Sequence, residues 1–196
     1  MPSSFYSMLS RMKYINRWGL MRNSRSESLS EHTLDTAVLA HALAILGVRR
    51  LGRSYDPERA AVLALYHDAS EIITGDMPTP VKYHDETITA AYKQVEAVAS
   101  RTLLGLLPAD LRGDYEPLLE PKPEDEPLWR LVKAADKLSA LIKCVEEERA
   151  GNREFVNAKA ATLAAIEEMR LPELELFLAE FFEPYAQTLD EQQTRS

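Results

Sequence analysis

The chain has 196 residues, 45% hydrophobic and 28% charged, proportions that suit one soluble domain over residues 1–196 and exclude a disordered or collagen-like chain. A formal net charge of -8 argues against a nucleic-acid polymer as partner, because sequence-independent backbone binding needs a broad basic surface. With no apolar run long enough for a membrane span, no leader pattern and a single cysteine, Cys144, a cytoplasmic protein with no membrane partner is expected.

Helical periodicity runs through nearly the whole chain, and no segment reads as a strand. Phe5, Met8, Leu9, Met12 and Ile15 recur at helical spacing over 5–15. Residues 1–26 hold Arg11, Lys13, Arg17, Arg22 and Arg25 and no acid. Most of that patch reads as a solvated face, but a local basic patch can hold one phosphate whatever the global charge. Ser28 and Glu31 are spaced as a capping box. Leu34, Ala37, Val38, His41 and Ile45 then mark one face of a helix that begins just before His32. Asp56 suits an N-cap, Pro57 the first helical position and Gly75 the residue past the end, which predicts one helix over 57–74 carrying His67 and Asp68. An acidic loop interrupted by Pro78 and Pro80 follows.

Ile88, Ala91, Tyr92, Val95 and Val98 mark the next helix; LLPADLRGDYEP reads as a loop and EPKPEDEP as a solvated connector. Leu128, Leu131, Val132, Ala135, Leu138, Ile142 and Val145 stripe a further helix with Asp136 in its middle. Phe155 to Met169, then Leu174, Phe177, Leu178, Phe181 and Phe182, complete the pattern. The expected fold is all-α, a compact bundle of six or seven helices.

Asp136 beside an apolar stripe is costly to desolvate unless a cation meets it. His32 at one helix start, His67 with Asp68 near another helix end, and Asp136 on a third helix offer two imidazoles and two carboxylates. Such a set suits one divalent transition-metal ion (Co, Mn, Zn or similar) with positions left for water and substrate. His41 and His84 lie outside it.

The order His32, His67-Asp68, Asp136 resembles the metal signature of the HD-domain superfamily of metal-dependent phosphohydrolases, which are all-α. INRWGLMRNSRSESLSEHTL, LALYHDASEIITGDMPTPVKY, VKAADKLSALIKCVEE and AGNREF are more closely similar to the bacterial 5′-deoxynucleotidases, in the same order across nearly the whole chain. The resemblance implies metal-dependent hydrolysis of deoxyribonucleoside 5′-monophosphates and a homodimer. It implies metal ligation by His32, His67, Asp68 and Asp136, phosphate orientation by Arg17, and substrate contacts from Trp18, Asp76, Met77, Pro78 and Thr79 as well as Asp68 and Asp136. The residue types fit those roles. Arginine meets two phosphate oxygens with a planar fork, tryptophan offers a rigid apolar wall, and flanking prolines stiffen the loop around Thr79. Glu71, four residues after His67, shares its helix face and suits either proton transfer in catalysis or orientation of a ligand histidine. Two other classes remain open: another HD-domain nucleotide phosphohydrolase or phosphodiesterase, and a non-catalytic nucleotide-binding regulator.

Overall fold

Side-chain caps decide where the main helices begin. In the computed structural model, which describes residues 2–82 and 84–193, Ser28 accepts from the Glu31 backbone N–H while Glu31 accepts from the Ser28 N–H at 2.8 Å. Tyr83, at the end of the HDASEIITGDMPTPVKY segment, lies outside the described residues. The capping box starts α2 (Leu29–Leu51), which ends at Gly52, where φ of +66° suits a residue without Cβ. Asp56 accepts from the Arg59 N–H and Pro57 occupies the first turn of α3 (Pro57–Tyr66). Ahead of these, α1 (Phe5–Leu9) runs into a 3-10 turn over Ser10–Tyr14. Beyond them come α4 (Glu71–Thr74), α5 (Thr79–Lys82), α6 (Glu86–Gly105), α7 (Arg112–Leu119), α8 (Glu126–Arg149), α9 (Val156–Glu168), α10 (Pro172–Phe181) and α11 (Leu189–Gln193). Among the described residues the one β-type pairing is the bridge between Asn16 and Ser28.

α2 is the central helix, packed on α3, α8 and α10, while α9 lies against α8. Leu43, Leu63, Leu131, Leu138, Leu141 and Leu174 are almost completely buried at this junction. Each such side chain contributes about 1.5–3 kcal/mol by leaving water. A second cluster, built on Phe5, Ala69, Leu103 and Leu107, packs beneath the turn that follows α3.

Among the described residues seven helices have eight or more residues, in line with the expected bundle, and shorter turns are added between them. Several local expectations are corrected. The segment 5–15 divides into α1 and the 3-10 turn. The helix expected over 57–74 breaks after Tyr66 and resumes as α4, because the His67 ring donates from Nδ1 to the Ala64 carbonyl at 2.7 Å and the backbone tightens to i→i-3 bonds such as Ala69 N–H to Tyr66 O. On α2, Leu34, Val38, His41 and Ile45 face outward, with Val38 62% exposed; the inner face is Thr33, Thr36, Ala37, Ala40, Leu43 and Ala44. Apolar residues on both sides of this helix make periodicity a poor guide to its orientation. Val95 and Val98 of α6 likewise face outward. The stretch read as a loop contains α7, with Pro117 inside it, and the connector read as solvated buries Asp125 against Arg59 at 2.6 Å.

Candidate metal centre and adjoining cavity

Two helices and a turn bring together the side chains expected to ligate a metal. The capping box sets the first turn of α2, and with it His32, which is fully buried. Its Nδ1 is hydrogen-bonded to Ser139 Oγ at 3.1 Å, which fixes the ring and turns Nε2 toward Asp136 Oδ1 at 3.2 Å and Asp68 Oδ2 at 3.6 Å. Asp136 and Ser139 lie one turn apart on α8, so one helix supplies a carboxylate and the group that orients the opposite imidazole. His67 and Asp68 occupy the break between α3 and α4. The Ala64 carbonyl accepts from Nδ1, so that nitrogen keeps its proton and Nε2 is the one free to exchange a proton for a cation.

His67 Nε2 lies 3.0 Å from Asp68 Oδ2 yet forms no hydrogen bond, and it is buried without another partner. Ligand atoms of His32, His67 and Asp68 all fall within 4.8 Å of one another, and Asp136 adjoins them through His32. Two imidazole nitrogens, one of them buried without a hydrogen-bond partner, converge with two carboxylates in a set that fits a divalent cation. Electrostatics agree: burial pulls the His67 imidazole down, but the Asp68 and Asp136 carboxylates carry it up to about 9. Burial opposes ionisation of Asp136 and Asp68 too; the imidazoles nevertheless hold Asp136 at about 2 and Asp68 well below the usual range. The cluster is built to hold positive charge.

Glu71 begins α4 and is 6% exposed. Burial, then the Asp68 and Asp76 carboxylates, push its carboxyl up to about 9, and its Oε2 has no hydrogen-bond partner. The orienting bonds of His32 and His67 come from Ser139 and Ala64, not from Glu71.

Arg17 and Trp18 follow the first turn in the segment closed by the Asn16–Ser28 bridge. Burial disfavours the Arg17 charge, and Glu27, Asp136, Asp68 and Asp76 more than restore it. Its Nη1 donates to Glu27 Oε2 at 2.8 Å, its Nη2 stands 3.9 Å from Asp136 Oδ1, and its Nε is a buried donor with no partner. Trp18 has φ of +59°, unusual for a bulky residue, and its ring packs 5.3 Å from Phe155. On the opposite side, Gly75 turns the chain at φ of +74° out of α4, and Asp76, Met77, Pro78 and Thr79 follow.

Arg17, Trp18, Asp76, Met77, Pro78, Thr79 and Asp136 line one cavity of about 550 Å³, within the range that holds small-molecule ligands. All the residues expected to meet substrate therefore reach this cavity or the adjoining ion cluster. Sequence reading missed Ser139, Glu27 and the far wall, formed by Leu20 and Met21 with Ala158, Ala161, Thr162 and Ala165 of α9. A hydroxyl one turn from Asp136 was a usable signal for Ser139, and an acid closing an otherwise basic segment was one for Glu27. The alanines carry no chemical signal of their own.

Residues 4–185 match the family model described as 5′-deoxynucleotidase YfbR-like. A 5′-deoxynucleotidase of Yersinia pestis (strain Pestoides F) is 48% identical over 189 residues, 96% of each chain, and one of Yersinia pseudotuberculosis (serotype O:3, strain YPIII) matches equally. Among solved structures, an HD-domain phosphohydrolase from Listeria innocua superposes with a TM-score of 0.76 at 22% identity, over 97% of this chain and 92% of that one. A cyanophage S-2L HD phosphohydrolase, bound to dA and one catalytic Zn2+ ion, gives a TM-score of 0.64 at 17% identity, over 93% and 96%. The likeness to these two structures is one of fold.

Proposed function

The chain belongs to the YfbR-like 5′-deoxynucleotidase family, and from that premise we propose how its site divides the work of hydrolysing deoxyribonucleoside 5′-monophosphates to deoxyribonucleoside and phosphate. His32, His67, Asp68 and Asp136 hold one divalent cation. Arg17 takes the phosphate, Trp18 and the Asp76–Thr79 loop receive the nucleoside, and Glu71 moves a proton. The observation that carries this reading is the pair of buried nitrogens without a hydrogen-bond partner, His67 Nε2 at the ion cluster and Arg17 Nε on a cavity-lining residue.

A cation in the cluster supplies Lewis-acid charge against the phosphoryl oxygens and makes water a better nucleophile near neutral pH. Arg17 orients the phosphoryl group and offsets charge spread over its oxygens in the transition state. As water attacks phosphorus and the bond to the 5′ oxygen breaks, the neutral Glu71 carboxyl gives its proton to the departing oxygen and recovers one from the attacking water. Since neither imidazole is held by Glu71, proton transfer is favoured over an orienting role. Turnover of all nucleoside monophosphates, with di-, tri- and cyclic phosphates alongside and several cations in turn, tests the reading. Preference for triphosphates or cyclic diesters supports another HD phosphohydrolase, and tight binding without turnover supports a regulator.

Arg17→Ala is expected to lower kcat on the order of 100-fold while far-UV circular dichroism stays native, because the residue serves the cavity more than the core. Arg17→Lys keeps the charge without the fork and should recover only part of the loss. Near-normal turnover in Arg17→Ala would remove the residue from catalysis.

The enzyme is expected to prefer deoxyribonucleotides and to tolerate different bases. An apolar wall rejects an added hydroxyl by roughly 100-fold at most unless the fit is sterically tight, so discrimination comes from packing of Trp18 at the 2′ carbon. Asp76 or Thr79 bonds the 3′ hydroxyl, and the alanine-rich wall of α9 offers few groups to read base edges. Matched kcat/KM values on ribo- and deoxyribonucleoside monophosphates, for the native protein and Trp18→Ala, decide this. Equal native rates would refute the preference, and unchanged selectivity in the variant would move the contact elsewhere.

We further propose a cytoplasmic homodimer. The outward apolar residues Leu34, Val38 and Ile45 of α2, with Phe181 at the end of α10, supply exposed surface for a partner copy. No helix among the described residues is long and apolar enough to cross a membrane. Light scattering at micromolar concentration should give twice the 22.1 kDa chain mass; a monomer mass refutes the dimer.

A further inference from the structure

Glu27 is the first acid in the chain, after five bases, and none of the roles above uses it. Its side chain is 11% exposed. A single oxygen, Oε2, accepts from Arg17 Nη1 at 2.8 Å and from Trp18 Nε1 at 3.0 Å. The same residue's backbone carbonyl accepts from the Arg17 N–H at 2.9 Å, beside the Asn16–Ser28 bridge. Glu27 thus holds the Arg17 main chain and the side chains of both Arg17 and Trp18.

The consequence for the guanidinium is directional. A carboxylate on Nη1 commits that corner of the fork, while Nε is a buried donor without a partner and Nη2 has only the longer approach to Asp136. The edge formed by Nε and Nη2 is therefore the one left for two phosphate oxygens. For the indole, the bond to Nε1 and the contact with Phe155 set the ring plane from two sides, while the backbone at φ of +59° is held separately by bonds from Met21 N–H and Asn23 Nδ2 to the Trp18 carbonyl.

We propose that Glu27 is a positioning residue that couples phosphate orientation to sugar selection, by clamping the phosphate-binding arginine and the sugar-facing tryptophan to one carboxylate oxygen. The proposal rests on the roles given above to Arg17 and Trp18, and goes beyond them in making the two interdependent.

The test uses Glu27→Ala, Glu27→Gln, Trp18→Phe and the Glu27→Ala/Trp18→Phe double variant, each loaded with the same cation. Glu27→Ala is expected to lose about tenfold or more in kcat/KM on a deoxyribonucleoside monophosphate, since misplacing a positioning group is costly. Its ratio of deoxyribo to ribo rates should fall toward that of Trp18→Ala. Trp18→Phe removes the indole donor but keeps a ring; adding Glu27→Ala to it should still lower the rate but no longer change the sugar ratio. A readout independent of turnover comes from NMR, because Trp18 and Trp129 are the two tryptophans and Trp18→Phe assigns the signals. The Trp18 indole N–H should shift upfield and exchange faster in Glu27→Ala. If that variant does not fold, Glu27→Gln carries the test, with a smaller shift and an intermediate rate loss.

An unchanged sugar ratio in folded Glu27→Ala overturns the coupling, as does an unmoved indole signal. An equal loss of selectivity in the presence and absence of the indole donor also overturns it. If the native enzyme fails to discriminate the sugar, the role given to Trp18 fails instead, and the indole signal with the Arg17-dependent rate still decides whether Glu27 clamps the pair.

Discussion

Replacing His67 with alanine or Asp136 with asparagine is expected to strip the cation and lower phosphatase activity by roughly a thousandfold or more, with helical content retained. The effect is large because cation charge acts on both the nucleophile and the phosphoryl oxygens. Asp136→Asn is the sharper variant: it keeps the size of a side chain that is partly exposed, so little packing is disturbed. His32→Ala should lose metal as well, but it also empties a fully buried position and unpairs Ser139, so some stability is lost with it. Metal analysis of the purified variants beside circular dichroism separates these effects. Full occupancy in Asp136→Asn would take that residue out of the ligand set.

Glu71→Gln is expected to reduce hydrolysis of the natural substrate on the order of 100- to 1000-fold. Glutamine preserves the volume but has no acidic proton to give. A substrate with an acidic leaving group, such as an aryl phosphate, needs little protonation at the departing oxygen, so the variant should hydrolyse it at close to the native rate. Equal loss on both substrates would assign Glu71 a structural task. The pH dependence has a definite sign. Burial, with Asp68 and Asp76, raises this carboxyl to about 9, so it holds a proton below that pH and has lost it above. The native rate therefore falls on the alkaline side, at a pH brought lower by the charge of the cation, and Glu71→Gln lacks that limb.

What the sequence disclosed and what it hid divide along the range of the interactions involved. The caps at Ser28 and Asp56 and the apolar stripe of α8 depend on neighbours a few residues away, and both were legible. That His32, His67, Asp68 and Asp136 would come together was legible as well, because two histidines and two aspartates near the ends or middles of predicted helices are chemically conspicuous. The inner face of α2 was not, since Leu34 and Val38 are as apolar as the residues that pack inside. Nor was the break at His67, which arises from an imidazole bonding a carbonyl of the preceding turn. It matters to the site: in a continuous α-helix, consecutive residues point about 100° apart, whereas the tightened turn places Nε2 of His67 and Oδ2 of Asp68 side by side. Ser139 and Glu27 act through partners brought close only by folding, in the case of Ser139 by the docking of α8 on α2.

The helices and the turn that carry the proposed ligands belong to the same packing unit as the core: α2, α3 with its following turn, and α8. A cation that binds only when they are docked is linked to folding by mass action. At a free concentration a thousand times its dissociation constant, it would add about 4 kcal/mol to stability, set against a typical total of about 5–15 kcal/mol for a domain. Such an ion would be a fastener as well as a reagent, and its supply would govern how long the native chain survives heat, denaturant or protease in addition to how fast it turns over.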